Sequence, residues 1–176
     1  MFEDYLFDAA DLFKIAKENI KINEKVCRRY SRLTIFCLFS SMESYVNYVA
    51  EVFMDKEIID YKARLYLADK RIAFDKQKGM IESEEYHRLE EKIRLLDRIF
   101  SCGMKYNTKY WSDFKKLKSL RDSLIHSRRE EDDTPINDYF ESIDGGFESI
   151  LTIVDTLSLG IFKKHIRKKI LDLHQT

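Results

Sequence analysis

The sequence predicts an all-α protein: one domain over residues 1–176, built as a bundle of long antiparallel helices. Three observations carry that reading. Pro135 is the only proline and there are five glycines in 176 residues, so few positions interrupt a helix. Apolar residues return every three or four positions through most of the chain, and strand-type alternation is not found. Hydrophobic residues make up 44% and charged residues 35%, a balance that supports a buried core and excludes a disordered chain.

The elements follow in order. Phe2, Leu6, Ala9, Phe13, Ala16 and Ile20 lie on one helical face, which predicts a helix over residues 3–21. A second helix runs from Asn23, a capping residue, into the 50s. Its centre, Ile35-Phe36-Cys37-Leu38-Phe39, is apolar almost all round, as a central core helix requires. Residues 59–77 and 82–101 read as two charged helices separated near Gly79, and together residues 56–107 form a helical insertion. Gly103 and Asn107 mark a turn before a helix over 108–127. Thr134-Pro135 is a helix start, Gly145-Gly146 an interruption, and a last helix passes through Ile150, Val154, Leu157 and Ile161. It ends in the basic run Lys163-Lys164-His165-Ile166-Arg167-Lys168-Lys169, which reads either as a phosphate-tracking patch or as cations compensating a helix dipole.

Several chemistries find no support. Cys27, Cys37 and Cys102 are odd in number and lack CxxC spacing, so neither a zinc site nor a disulfide framework is expected. No basic leader precedes an apolar run, and no apolar run approaches the roughly 20 residues of a membrane span, so the cytoplasm is the expected location and no membrane contact is expected. Glycine-rich phosphate loops, HExxH and the nucleophile elbow are absent. No cofactor is implied. The formal net charge is zero, so any nucleic-acid site must be a local basic patch.

The helix over 108–127 carries the chemistry. Phe114, Leu117, Leu124 and Ile125 form its apolar face, and Arg121 falls inside that face. A guanidinium so placed needs an acceptor, because an unpaired buried charge is costly. Ser40, Glu43 and Asn47 form a polar stripe on the second helix, so Glu43 is expected to face Arg121, directly or across a dimer seam. Such a pair either serves chemistry or fixes helix register. His126 lies five residues further on, about 140° round an ideal helix, where its cation also suits the helix C-terminus. Lys115, Lys118, Arg128 and Arg129 make the surroundings basic, with Tyr106, Tyr110 and Trp111 as either stacking surfaces or core. His87 and His165 have no partner at useful spacing.

The run Arg121-Asp122-Ser123-Leu124-Ile125-His126 resembles the R-x4-H motif of the HEPN superfamily, all-helical domains of prokaryotic toxin, antiphage and RNA-processing systems. The run from Leu38 to Asn47, with its embedded Glu43, is similar to the long second helix of many members. The resemblance covers roughly residues 5–55 and 108–172 and leaves the insertion without a counterpart. It implies a HEPN-like bundle and a homodimer or pseudo-dimer that unites two motifs in one cleft. Its catalytic members are metal-independent endoribonucleases that leave a 2′,3′-cyclic phosphate. On that pattern His126 transfers protons, Arg121 holds the phosphate, and Asp122, Glu43 and Asn47 support them. Histidine's ordinary pKa of about 6.5 suits the role. Other members are non-catalytic adaptors or antitoxin-like subunits, and some pair with a cognate antitoxin or a nucleotidyltransferase.

Overall fold

The computed structural model describes residues 1–54, 56–126 and 134–175. Most of these residues are helical: α1 Phe2–Asn19, α2 Glu24–Phe53, α3 Tyr61–Leu67, α4 Leu89–Phe100, α5 Lys109–His126, α6 Ile136–Phe162 and α7 Lys168–Leu171. A final 3-10 turn spans Asp172–Gln175. Leu6, Ala9, Phe13 and Ala16 of α1 are buried against α2, which the short connection after Asn19 folds back alongside it. Asn23 caps α2 by accepting from the Val26 amide at 3.2 Å. The middle of α2 is the centre of the core, with Ile35, Leu38, Phe39, Met42, Val46 and Val49 at most 2% exposed. Tyr45 closes this layer against α6 through a buried 2.9 Å hydrogen bond with Ser158.

Residues 56–107 depart from the all-helical expectation. Helix α3 stops at Leu67, and strands β1 (Lys70–Asp75) and β2 (Gly79–Glu84) form an antiparallel hairpin where residues 59–77 and 82–101 read as two long helices. The physical cause is turn chemistry at both ends. Asp69 adopts a left-handed φ of 56°, which ends helical propagation, and Gly79 takes a φ of 77° that only glycine adopts without strain. Between the strands, Asp75 Oδ1 accepts from the Gln77 and Lys78 amides, each at 2.8 Å, and folds the turn. Tertiary contacts override the helix propensity of the Lys- and Glu-rich segment.

The second correction concerns Gly145-Gly146, which lies inside one continuous α6. These glycines mark close packing on α5: a Cβ on Gly145 would lie 3.2 Å from the Asp113 side chain, and one on Gly146 3.0 Å from Leu117. Pro135 stands at the N-cap of α6, one residue before its first helical position. Among the described helices α6 is long and apolar enough to cross a membrane by length and composition alone. Ile143, Ile150, Val154 and Leu157 are each 0% exposed in the bundle, so the protein core accounts for that apolarity. The basic end is largely engaged: Lys163 Nζ donates to the Gly160 carbonyl, Arg167 pairs with Glu3, and the Lys169 ammonium sits 5.1 Å from the Phe7 ring centre.

The turn leading into α5 is built on Asp97, which accepts from the Met104 amide at 3.1 Å and the Tyr106 hydroxyl at 2.7 Å. Gly160 of α6 lies against this turn. A Cβ there would come within 2.4 Å of Cys102 Sγ and 2.7 Å of its Cα. Because backbone cannot rotate away, Gly160→Ala is expected to cost about 1–3 kcal/mol, more than the roughly 1 kcal/mol alanine gains in helix propensity, and to lower Tm by several degrees in calorimetry. Gly146→Ala, which meets only the Leu117 methyls, is expected to shift Tm far less. Equal shifts for the two would disprove the tight α6 contact.

Candidate functional site

Helix α5 crosses α2 through aromatic packing. Phe114 and Phe39 lie nearly parallel, 4° apart with ring centres 6.1 Å apart, and both are buried. Two turns on, the Arg121 guanidinium carbon lies 4.2 Å from the centre of the same Phe39 ring. Its Nη2 donates to Glu43 Oε1 at 3.2 Å and its Nη1 to Asp122 Oδ1 at 2.8 Å. Arg121 is therefore met by Glu43 of its own chain, with no dimer seam required. Lys118 adds a 2.8 Å bond to the other oxygen of Asp122. The four charges balance, and two of the five guanidinium N–H groups are taken.

Burial and charge act differently on the two carboxylates. Desolvation pushes Glu43 above the usual carboxylate range, and the pull of Arg121 does not fully offset it. Desolvation also acts on Asp122, but hydrogen bonds from Lys118 and Arg121 outweigh it and hold this carboxyl below the usual range. Asp122 is also the nearer partner of the guanidinium, at 2.8 Å against 3.2 Å for Glu43, whose carboxyl stands in a poorly solvated place.

The remaining expected site residues separate from this cluster. His126 is exposed at the end of α5, and among the described residues Arg121 bonds Glu43 and Asp122 rather than His126. Leu124 beside it is half-buried, and Ile125, expected on the apolar face, is 49% exposed. Asn47 is exposed one turn beyond Glu43 and lines a shallow groove with Ala50, Leu67, Ala68 and Asp69, a lining that does not include Arg121. Lys115 is exposed, while Lys118 is committed to Asp122. Arg128 and Arg129 lie outside the described residues.

The expected stacking surfaces are structural. Trp111 is 1% exposed and meets Tyr106 edge-on at 4.9 Å, with Arg94 over the Tyr106 ring at 4.0 Å. The Tyr110 hydroxyl accepts from the Lys105 amide. The two histidines read as unpartnered do have partners: His165 Nδ1 lies 2.8 Å from Asp155 Oδ2, and His87 stacks on Tyr66 at 3.7 Å.

One contribution had no sequence signal. Lys92 of α4 is 4% exposed and bonds Asp69 at 2.5 Å, and both charges act on Glu43. A buried lysine in the charged helix α4 is visible only once α4 is placed against the hairpin base. Phe39 was legible as core and not as the platform for Arg121. Among the described residues no three His, Cys, Asp or Glu side chains converge as a metal site would need. The chain matches no protein-family model, no curated protein and no solved structure.

The opposed shifts give opposed pH dependences. Asp122, with a lowered folded-state pKa, stabilises the protein above the unfolded value of about 3.9 and loses that contribution as pH falls through the folded value. Glu43, with a raised pKa, favours the folded state most in acid and loses that contribution as pH rises through its folded value. Asp122→Asn is expected to cost about 0.5–1 kcal/mol at pH 7, after discounting for partial exposure, with the deficit shrinking toward pH 3. For Glu43→Gln the stability difference should move in favour of glutamine as pH rises from 4 to 7. Urea melts across that range measure both, and parallel profiles for the two variants would contradict the opposed environments.

Proposed function

We propose that this protein is a HEPN-type, metal-independent endoribonuclease, acting as a homodimer in a cytoplasmic toxin–antitoxin or antiphage defence system. The observation that carries the reading is the Arg121 clamp. An arginine held half-buried by Phe39, Glu43 and Asp122, with donors to spare, stands five residues before an exposed histidine at the helix end. A fixed guanidinium suits a phosphodiester oxygen, because it loses little freedom on binding and stabilises charge that builds on the phosphorus.

The reaction asks for three things. The 2′-hydroxyl must lose a proton as its oxygen attacks the adjacent phosphorus. Negative charge on the phosphorane must be held. The departing 5′-oxygen must gain a proton as the P–O bond breaks, leaving a 2′,3′-cyclic phosphate and a 5′-hydroxyl. Arg121 supplies the second. His126 supplies proton transfer, and two copies in one cleft can serve attack and departure separately. The roughly 140° between the two positions on α5 keeps them apart within one chain, which is why the reading requires a dimer. Glu43 and Asp122 act as positioning residues for Arg121. Lys115 is an exposed cation on α5 available to the RNA backbone.

One observation favours a second reading, a non-catalytic helical adaptor or antitoxin-like subunit. Arg121 already meets two carboxylates of its own chain, and that arrangement by itself fixes the register of α5 on α2.

Cleavage of a mixed RNA pool in EDTA separates the two. The wild type is expected to release fragments with 2′,3′-cyclic phosphate ends, and His126→Ala and Arg121→Ala to lower the rate by at least 100-fold, about the smaller effect of losing an acid–base group. His126→Ala, exposed at a helix end, should leave Tm nearly unchanged. A folded, dimeric wild type without activity would establish the adaptor reading instead.

A further inference from the structure

We propose that the β-hairpin is an RNA-binding arm, with Phe74 and Met80 as a stacking platform for an unpaired base and Lys76 and Lys78 as phosphate contacts. The choice of RNA as ligand rests on the ribonuclease reading above. Folding alone does not explain this surface. Phe74 is 73% exposed, Met80 68% and Ile72 40%, and none of the three joins the core or packs against it. Phe74 stands opposite Met80, and Ile72 opposite Glu82, so strand alternation puts all three on one face of the ribbon.

Charge selects the occupant. Asp75 is spent on the two turn amides, and Glu82 is held by Lys70 at 2.9 Å and by the Tyr61 hydroxyl. Glu84 lies at the far end of the hairpin, opposite Lys70. Lys76 and Lys78, which stand in the turn on either side of Gln77, have no ion pair among the described residues. An aromatic ring and a thioether beside two cations that make no ion pair among the described residues suit a polyanion whose bases have apolar faces. A wholly apolar partner surface would leave both lysines without an acceptor.

The arm is anchored beside the clamp. Asp69 accepts from Lys92 Nζ, from the His87 amide and, through its carbonyl, from the Glu85 amide at 2.8 Å, so one residue joins both strands to α4. Asp69 also lines the groove that contains Asn47, one turn from Glu43 on α2. Five strand residues at about 3.3 Å each carry Phe74 roughly 17 Å outward from Asp69. The base of the arm therefore stands next to the helix that carries Glu43, with the tip at its far end.

The test is anisotropy of a labelled, unstructured oligouridine with the full-length chain in EDTA, in a His126→Ala background that prevents cleavage. Phe74→Ala is expected to weaken binding on the order of tenfold, the loss of one stacked base. The double change Lys76→Gln, Lys78→Gln should reduce the slope of log affinity against log salt by about 1.4, at roughly 0.7 per phosphate contact. Circular dichroism should be unchanged, because these side chains are exposed and lie outside the core. Tip-independent binding, or no binding of the oligonucleotide at all, overturns the proposal. So does a loss of self-association or of binding to anionic vesicles in the tip variants while RNA affinity holds. Tip-dependent binding without cleavage by the wild type would sink the nuclease reading and leave the arm standing; cleavage with tip-independent binding would do the reverse.

Discussion

The contact of Arg121 with the Phe39 ring is the constraint around which the site is arranged. A guanidinium at 20% exposure persists only where its charge is matched and its donors find oxygen. Here Glu43 comes from α2, Asp122 from the next residue of α5, and the ring of Phe39 covers one face. Because Phe39 also stacks with Phe114, the aromatic contact and the ionic one lie two turns apart along α5. Two such points fix both the position and the rotation of that helix on α2. The direction in which His126 leaves the bundle follows from that rotation.

The same cluster links the core to the insertion. Lys92 is buried because Asp69 is there to meet it, and Asp69 can hold a left-handed conformation because three donors reward it. Both charges reach Glu43, whose carboxylate is already poorly solvated. The hairpin base thus contributes to the field in which Glu43 and Arg121 sit. The hairpin, with its own exposed tip, is thereby coupled to the helix pair that carries Glu43 and Arg121.

Much of the helical frame was legible locally. The bounds of α1, α2 and α5 follow from apolar periodicity, and Asn23 announces the start of α2 by its capping chemistry. The pairing of Arg121 with Glu43 was also accessible, since a cation inside an apolar face requires an acceptor and the stripe on α2 offered one. The hairpin was hidden for a specific reason. Its outer face carries Ile72, Phe74 and Met80 where a half-buried strand would carry polar residues, so the period-2 signal is lost. Glycine was misleading in a related way. Gly145 and Gly146 read as breakers, yet they serve the approach of α5 to α6, a role defined by Asp113 and Leu117 more than 25 positions away.

The sequence by itself determined that this protein is mainly helical, where its principal helices begin, and which cation would need a buried partner. These follow from the backbone's own periods, from capping and from the cost of an unpaired charge, all of which act over a few residues. Tertiary structure decided the rest: that Phe39 would carry Arg121, that Lys118 would be spent on Asp122 while Lys115 stayed free, that Trp111 would be core, and that a hairpin would stand beside α2. Those outcomes depend on which side chains meet across distant segments, and burial and charge pairing are set by that meeting.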